Sequence, residues 1–325
     1  MKDLIIELGE RVLAGGEISG AEAGRLLEVE RRDLPFLLAY ADRIREERAG
    51  RREVDTCAVV SARTGGCSED CAFCAQAARH RGGVEPHRLL PAEEILERGL
   101  EAQAAGAKRF DIVTSGRRAA EPKADWEEIV RAFRLLRERT SLSLCASLGT
   151  LDADEAAVLR DAGVSRYNHN LEAARSFYPR IVTTHAYDER VGTIQAVKAV
   201  GMEVCSGGII GLGETPAQRV ELALELRGLG VDAVPLNVLN PRPGTPLGER
   251  AILPPLEVLK TLSVFRFILP AVNLRYAGGR EAALRDLQGV GLLGGVDGLL
   301  LGNYLTTAGR DAARDLALLR DLEMG

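Results

Sequence analysis

The chain has 325 residues, of which 46% are hydrophobic and 27% charged, a composition that excludes disordered, collagen-like and disulfide-scaffold proteins. Its net charge of -5 gives no basic footprint for nucleic acid or an anionic membrane, so a small-molecule partner is favoured. The first thirty residues lack an apolar stretch of signal length, and no apolar run is long enough to span a bilayer, so we expect a cytoplasmic protein. In that reducing compartment the six cysteines are expected to be free thiols or metal ligands.

The chain begins with charged segments and continues as an alternation of strands and helices. Residues 1–50 are predicted to form a helical extension packed against the outside or base of the domain that follows. Strands are predicted at 54–60, 109–114, 141–146, 164–168, 203–209, 233–239, 272–276 and 298–301. Helices are predicted at 92–104, 125–139, 152–162, 186–199, 216–229 and 255–267.

This alternation predicts an α/β fold, a (β/α)8 TIM-type barrel over residues 51–325 with a C-terminal cap. Strands that alternate with helices are parallel and joined by right-handed crossovers, and eight of them can close into a barrel. Helix ends agree with this pattern: Thr215 and Pro216 begin a helix, while Gly163 and Gly230 follow the last turn of two others. The alternative is an open doubly wound sheet, but no strand is followed by the GxGxxG dinucleotide motif.

Cys67, Cys71 and Cys74 lie at C-x3-C-x2-C spacing in a loop directly after the first predicted strand. In a barrel this loop lies at the catalytic face. A 4Fe-4S cluster can be held by three thiolates, which leaves its fourth iron open for substrate. A structural zinc site is the alternative, although it needs a fourth ligand and the nearest histidine, His80, is six residues past Cys74.

The other three cysteines fall on odd-numbered strands. Cys57, Cys145 and Cys205 lie on the first, third and fifth predicted strands, and Arg275 lies on the seventh. Interior side chains of such barrels stack in layers of four from alternate strands, so these four residues are expected to converge. Three thiols and a guanidinium suit a cluster cage better than an apolar core. The alternative is that each cysteine is an ordinary small buried residue.

The motif and its surroundings resemble a known family. With Phe73 before its last cysteine, the first set is similar to the signature of radical S-adenosylmethionine (SAM) enzymes. Longer stretches resemble the biotin synthase family over about residues 50–310, above all RYNHNLE at 166–172 and CSGGIIGLGET at 205–215. The resemblance implies sulfur insertion that converts dethiobiotin to biotin, a SAM-binding 4Fe-4S cluster, and an auxiliary iron–sulfur cluster that gives up sulfur.

One position departs from the family pattern. In most of its members the auxiliary cluster is 2Fe-2S, held by an arginine that matches Arg275 and three cysteines, of which two match Cys145 and Cys205. The third falls where this chain has Asp111. Cys57 is a candidate for the missing thiolate, and Asp111 is an oxygen ligand, a partner of Arg275 or a bystander. The chain is also a candidate for a subgroup with a larger auxiliary cluster, of the 4Fe-5S kind.

The resemblance also assigns ligand contacts. Asn168 and Asn237 would contact the ureido ring of dethiobiotin, and amide side chains suit it because they offer a donor and an acceptor together. The SAM contacts would be Phe73, Asn170, Glu172, Arg190 and Ile209. Of these, Asn170 and Glu172 would hold the ribose, Ile209 would meet adenine, and Arg190 would clamp the carboxylate. The alternatives are polar residues that cap a strand end and an exposed helix arginine. His169 is expected to be a satisfied hydrogen-bonding partner.

The same resemblance implies further partners: a flavodoxin- or ferredoxin-type electron donor and iron–sulfur assembly proteins. A homodimer is expected. Competing interpretations are another radical SAM enzyme of the same subfamily, such as a hydrogenase maturase or methylornithine synthase, and a non-catalytic iron–sulfur scaffold. A zinc-dependent barrel hydrolase is a third, although the four histidines, at 80, 87, 169 and 185, are scattered along the chain.

Overall fold

The computed structural model describes residues 1–50, 53–118 and 120–325. The predicted first residue of the barrel, residue 51, lies outside the described residues. The described strands are β1 (Asp55–Arg63), β2 (Arg109–Thr114), β3 (Ser143–Ser147), β4 (Val164–Asn168), β5 (Glu203–Cys205), β6 (Gly208–Ile210), β7 (Ala233–Val238), β8 (Asn273–Tyr276) and β9 (Gly298–Leu300).

These strands form a closed parallel barrel. Neighbours follow the order β5, β4, β3, β2, β1, β9, β8, β7, β6, and β5 also pairs with β7 through Cys205 and Ala233. Because β5 and β6 follow each other along the chain and both pair with β7, they act as one position in the ring. The barrel therefore has eight strand positions, and the predicted (β/α)8 TIM-type fold is confirmed.

The predicted continuous strand at 203–209 is wrong, because the ladder breaks between β5 and β6. There Ser206 N donates to Ala233 O at 2.9 Å, whereas Gly207 N donates to the side-chain Oδ1 of Asn170 at 3.1 Å. A backbone donor that bonds to a side chain cannot also serve a neighbouring strand. The interruption therefore lies at the residues that link the barrel wall to Asn170.

Helices cover the outside of the barrel and its base. They are α1 (Lys2–Leu13), α2 (Gly20–Leu27), α3 (Leu34–Ile44), α4 (Ala92–Ala104), α5 (Lys123–Arg139), α6 (Ala153–Ala162), α7 (Tyr187–Ala199), α8 (Pro216–Leu229), α9 (Pro255–Ile268), α10 (Arg280–Leu284), α11 (Gln288–Leu292) and α12 (Ala312–Asp321). Thr215 caps α8 through a bond from Gln218 N, and Gly163 and Gly230 end α6 and α8 with φ of 109° and 59°. The predicted starts and stops of these helices are confirmed.

Of the first three helices, α2 and α3 pack on α8 and α9 with an apolar face, and α1 packs on α3. Leu8, Leu26 and Leu37 are fully buried, and α3 contacts α9 while α2 contacts both α8 and α9. Polar contacts fix the arrangement, since Lys260 Nζ on α9 donates to Val29 O at 2.9 Å. The helices thus close one side of the barrel's outer layer.

The end of the chain returns over the barrel. After β9, Tyr304, Leu305, Thr306 and Thr307 line the cavity described below. The segment is anchored by Arg280, whose buried guanidinium contacts the fully buried Asp315 at 2.5 Å. In the described part of the chain, no helix is both long and apolar enough to cross a membrane.

Candidate active site

A cavity of about 510 Å³ lies at the carboxyl ends of the barrel strands. It is lined by residues that follow β2, β4, β7 and β8, and it reaches inward to Arg109, Arg166 and Arg275. Catalytic residues of parallel barrels come from this end of the strands. All six cysteines line the cavity as free thiols. The structure therefore gathers both predicted cysteine sets into one site.

The first cysteine set lies on a loop that its own backbone holds closed. Cys67 N donates to Gln76 O at 3.1 Å, and Ala78 N donates to Cys67 O at 2.8 Å. Cys74 N donates to Cys71 O at 2.9 Å, which is a turn that brings these two cysteines together. The three side chains are half-buried. Three thiols on one such loop are the donor set that a 4Fe-4S cluster takes.

The surroundings of this loop favour the protonated thiols of Cys71 and Cys74. Burial raises the pKa of Cys71 to about 12, although Arg190 acts in the opposite direction. Burial also raises the pKa of Cys74. The thiolate is the form that binds metal, so iron must displace these protons when a cluster is assembled.

The second cysteine set lies inside the barrel wall. Cys57 on β1, Cys145 on β3 and Cys205 on β5 are all more than nine-tenths buried. Cys57 Sγ donates to Ala58 O at 3.5 Å, and the neighbouring Cys145 thiol together with burial raises the pKa of Cys57 well above its ordinary value. Burial raises the pKa of Cys205 to about 12. The three side chains converge on one cavity, as the alternate-strand layer predicts.

Asp111 lies beside the second cysteine set, and one of its carboxylate oxygens accepts no hydrogen bond from the described residues. It pairs in register with Cys145, and its Oδ2 accepts from Ser147 Oγ at 2.8 Å. Its Oδ1 is buried and has no partner among the described residues. Burial raises the pKa of this carboxyl to about 7, against the effect of bonds from Ser147 and Asn168. A buried oxygen without a partner fits a site that accepts a further group.

Charged residues lie under the second cysteine set, toward the amino ends of the strands. We call Asp55, Arg109, Arg166, Glu203 and Arg275 the barrel floor. Asp55 Oδ2 lies 2.6 Å from Arg275 NH1, 2.9 Å from Arg109 Nε and 3.6 Å from Arg166 NH1. Glu203 Oε2 lies 2.8 Å from Arg166 Nε. Three guanidinium groups thus share two carboxylates, which leaves positive charge next to the cysteines and opposes the rise that burial causes in the pKa of Cys57 and Cys205.

Arg275 is held by the barrel floor. Its NH1 donates to Asp55 Oδ2 and to Asn273 Oδ1, both at 2.6 Å, and its NH2 donates to Asp55 O at 3.3 Å. The carboxylate bonded to Arg275 is therefore Asp55 rather than Asp111. Arg275 lines the cavity with the three cysteines and acts there as a fixed cation.

Arg190 on α7 is buried, so the alternative of an exposed helix arginine is wrong. Its Nε donates to Tyr178 Oη at 2.7 Å, and its NH1 donates to Asn170 O at 2.9 Å. Its NH2 donates to His185 Nε2 at 2.9 Å. The guanidinium faces the cavity that Cys71 also lines, with its position fixed from three sides.

Glu172 has an unusual backbone next to the predicted SAM residues. Its φ is 69°, in the left-handed region that residues other than glycine seldom adopt. Its N donates to Gly207 O at 3.1 Å and its O accepts from Ile209 N at 2.8 Å. A Cβ at Gly208 would lie 2.6 Å from Glu172 O, so the glycine permits this contact. Backbone strain of this kind is found mainly at functional sites. Glu172 lines the cavity together with Ile209 and Phe73, so its strained backbone lies at the candidate site.

The predicted substrate residues also face the cavity. Asn237 Nδ2 donates to Gly208 O at 3.3 Å and its Oδ1 accepts from Gly278 N at 2.8 Å, so backbone groups orient the amide. Asn168 contacts Asp111. His169 Nε2 is buried without a partner among the described residues, so the prediction of a fully satisfied histidine is wrong at that atom.

Across residues 1–50, 53–118 and 120–325, no three His, Cys, Asp or Glu side chains are arranged to hold one metal ion. A catalytic zinc site needs three such ligands around a single ion, and the described side chains do not provide them. The ligands of an iron–sulfur cluster bind separate iron atoms and lie farther apart. The described residues therefore offer no three-ligand site of the kind that the zinc hydrolase alternative requires.

Comparison with known proteins decides the family. Residues 62–226 match the radical SAM superfamily, and residues 235–325 match the Biotin and Thiamin Synthesis associated domain. The chain is 52% identical to a biotin synthase of Carboxydothermus hydrogenoformans over 322 residues, which is 99% of each chain. It is 54% identical to that of Desulforudis audaxviator over 319 residues, 98% of this chain and 96% of the relative. The chain belongs to the biotin synthase family.

As a biotin synthase, the protein is a radical SAM sulfurtransferase, and its superfamily implies a 4Fe-4S cluster and SAM as cofactors. The cavity combines both matched segments, because the first contains Cys67, Cys71 and Cys74 while the second contains Asn237 and Arg275. The second segment therefore completes the site that the first one begins.

Solved structures confirm the fold of this biotin synthase. A methylornithine synthase superposes with a TM-score of 0.84 over 98% of this chain and 96% of its own, at 21% identity. An FeFe-hydrogenase maturase from Carboxydothermus hydrogenoformans superposes with a TM-score of 0.81 over 99% of this chain and 78% of its own, at 16% identity. These likenesses show a shared fold and no more, so neither alternative activity gains support over biotin synthase.

Two groups of residues near the site were not predicted from sequence: the barrel floor apart from Arg275, and the pair Glu69 and His185. The barrel floor had a signal, because Asp55, Arg109 and Arg166 are charged positions within or beside predicted strands where a buried strand normally has apolar residues. The pair formed by Glu69 and His185, which in turn bonds to Arg190, had no such signal, because the two residues lie 116 residues apart in the chain.

Proposed function

We propose that Cys67, Cys71 and Cys74 hold the 4Fe-4S cluster, and that Cys57, Cys145 and Cys205 hold an auxiliary iron–sulfur cluster from which sulfur passes to dethiobiotin. The observation that carries this proposal is the presence of both cysteine sets in one cavity, with the Cys57 and Cys145 thiols as neighbours inside the barrel. The donor sets fit, because thiolates are the ligands of iron–sulfur clusters and each set offers three.

The bound clusters and SAM supply the radical and the sulfur for this chemistry. The protein's own residues bind and orient the reactants and keep water out. Arg190 offers its guanidinium to the SAM carboxylate, and Asn170 and Glu172, 3.4 Å apart, face the ribose. Phe73 and Ile209 provide apolar contacts for SAM and adenine. The resemblance to the family suggests these assignments, and the positions of all five side chains on the cavity wall support them.

Asn168 and Asn237 are proposed to bind the ureido ring of dethiobiotin. The amide of Asn237 is already oriented by Gly208 and Gly278, which limits the freedom lost when substrate binds. Asn168 lies at the end of β4 and pairs in register with Cys205. A ring held by these two amides would lie beside the second cysteine set.

The auxiliary cluster is proposed to use Cys57 as the thiolate that replaces the family's usual cysteine at position 111. Arg275 is the fourth residue of the layer that contains the three cysteines, and it is a cation held by Asp55 and Asn273. Asp111 Oδ1 is the candidate oxygen ligand, since it is buried and has no partner among the described residues. Either a 2Fe-2S or a larger cluster, such as 4Fe-5S, is compatible with three thiolates.

Iron and acid-labile sulfide per chain, with Mössbauer spectra, test the proposal on protein purified and reconstituted without oxygen. About six irons would support a 2Fe-2S auxiliary cluster and about eight a larger one, whereas about four would overturn the auxiliary site. Cys57→Ser should lower the iron content to about four and abolish biotin formation while SAM cleavage persists. Ala58→Ser, on the opposite face of β1, is the matched control. Unchanged iron content in Cys57→Ser would refute its role as a ligand.

The chemistry also requires partners. Reductive cleavage of SAM consumes an electron, which a flavodoxin- or ferredoxin-type protein is proposed to deliver, and iron–sulfur assembly proteins are proposed to build and restore the clusters. Six free cysteines suit a reducing compartment, proposed to be the cytoplasm. A homodimer is proposed, and sedimentation of the reconstituted enzyme would test it.

A further inference from the structure

A chain of buried polar side chains connects the loop of the first cysteine set to Arg190. Glu69 Oε2 lies 2.5 Å from His185 Nδ1 and accepts from Thr184 Oγ1 at 2.6 Å. His185 Nε2 lies 2.9 Å from Arg190 NH2. The side chains of Glu69 and His185 are 9% and 6% exposed, so these contacts are shielded from water.

The partners fix the state of His185. Arginine has only N–H donors, so His185 Nε2 must be the acceptor in its bond with Arg190. The proton of the neutral ring then lies on Nδ1, where it points at the carboxylate of Glu69. A carboxylate that accepts from one ring nitrogen sets the tautomer and orientation of the whole imidazole.

The same contacts decide which donors Arg190 has left. A guanidinium has five N–H groups, and Tyr178 Oη, Asn170 O and His185 Nε2 accept three of them. One N–H remains on each terminal nitrogen. Two terminal donors are the fork that binds a carboxylate bidentately.

We call the hydrogen-bonded chain of Glu69, His185 and Arg190 the relay. Hydrogen bonds connect it to the loop of the first cysteine set. Glu69 lies between Cys67 and Cys71 in that loop. The next residue, Asp70, accepts through Oδ1 from Thr183 N at 2.9 Å and Thr184 N at 3.2 Å, and its other oxygen bonds the Thr183 hydroxyl. The loop and the segment before α7 are therefore one hydrogen-bonded unit.

We propose that Glu69 and His185 are positioning residues, which hold the guanidinium of Arg190 toward the carboxylate of SAM in register with the cysteine loop. The inference rests on the proposed role of Arg190 in SAM binding. Glu69 and His185 touch neither SAM nor the reacting atoms in this proposal, and they act through Arg190.

The first test is equilibrium binding of SAM and of decarboxylated SAM to the reconstituted holoenzyme, with iron content measured for each variant. His185→Ala leaves charged donors and acceptors unpaired and should weaken SAM binding about 10- to 100-fold. His185→Gln, which keeps one donor and one acceptor, should recover part of that loss. Decarboxylated SAM should bind wild type and His185→Ala with nearly equal affinity. Asp188→Asn, an exposed change on the same helix, is the control.

The outcomes separate the relay from the role of Arg190. If Arg190→Lys leaves SAM affinity unchanged, the assignment of Arg190 fails. If Arg190→Lys weakens SAM binding but His185→Ala does not, or if His185→Ala weakens both ligands equally, the relay is refuted. Losses that are not additive in the Arg190→Lys/His185→Ala double variant would support it, and additive losses would contradict it.

A second measurement does not depend on bound cofactors. ¹⁵N spectra of histidine-labelled protein, with the His185 signals assigned from His185→Gln, should show a neutral ring protonated at Nδ1. Glu69→Gln should reduce the preference for that tautomer. A ring protonated at Nε2 in the wild-type protein would overturn the relay.

Discussion

Replacement of Asp55 by asparagine would test the charge balance of the barrel floor. Asp55 is the only carboxylate within 4 Å of all three floor arginines in the described chain, since Glu203 reaches Arg109 and Arg166 but not Arg275. Asparagine keeps the size and one acceptor oxygen but removes the charge. The floor would then hold three guanidinium groups and one carboxylate that is 45% exposed.

The expected loss of stability is large because the groups are buried. Asp55 is 18% exposed, and Arg275 and Arg166 are 4% and 5% exposed. Loss of one partner from a buried ion pair costs about 3–5 kcal/mol, because the remaining charge is left uncompensated. The retained oxygen preserves part of one hydrogen bond, so we expect the free energy of unfolding to fall by about 2–4 kcal/mol.

Urea unfolding of the cofactor-free protein at several pH values would measure this loss. Burial raises the pKa of Asp55, but Arg275, Arg109 and Arg166 outweigh it, so the folded pKa lies below the ordinary value. Its stabilisation is therefore present above about pH 4 and is lost as the pH falls through the folded pKa. Wild type and Asp55→Asn should converge in acid. A loss no larger than that of Glu203→Gln, or one that does not change with pH, would refute the reasoning.

Two further predictions concern buried carboxylates. Burial raises the pKa of Asp111 to about 7, above its unfolded value near 4, so the cofactor-free protein should lose about 4 kcal/mol as the pH rises from 4 to above 7. Asp111→Asn should reduce this pH dependence in urea unfolding, and an unchanged slope would contradict it. Asp315→Ala would remove the buried carboxylate of Arg280 and leave it only the partly exposed Glu281 at 3.3 Å, so it should cost about 3 kcal/mol in the same assay, whereas the exposed change Lys123→Ala should have no measurable effect.

Local pattern was enough to predict the barrel, because its signals are short-range. The starts and ends of α6 and α8 follow from residues such as Asp152, Gly163 and Thr215, which act within one turn of the helix. The convergence of Cys57, Cys145 and Cys205 also follows from sequence, since alternate strands of a barrel share a layer. These predictions need only the order of elements and the rules of barrel geometry.

The missed contacts depend on side-chain positions that no local pattern encodes. Glu69 meets His185 only after the cysteine loop folds against the segment before α7. Arg275 meets Asp55 across 220 residues, whereas the sequence had offered Asp111 as one candidate partner, with the roles of oxygen ligand and bystander left open. Both carboxylates lie near Arg275 in the barrel, and only the three-dimensional arrangement shows which one bonds to it.

Gly207 also makes a contact that only the three-dimensional structure shows, and this contact gives a last prediction. A Cβ at Gly207 would overlap the Pro235 carbonyl oxygen of β7. That carbonyl is held in a strand that pairs with β8, so it cannot move away easily. We expect Gly207→Ala to cost about 3 kcal/mol of unfolding free energy. Gly192→Ala, in α7 with no neighbour near its Cβ, should instead stabilise the protein by about 0.5–1 kcal/mol. Equal effects of the two substitutions in urea unfolding would show that Gly207 does not serve close packing against Pro235 of β7.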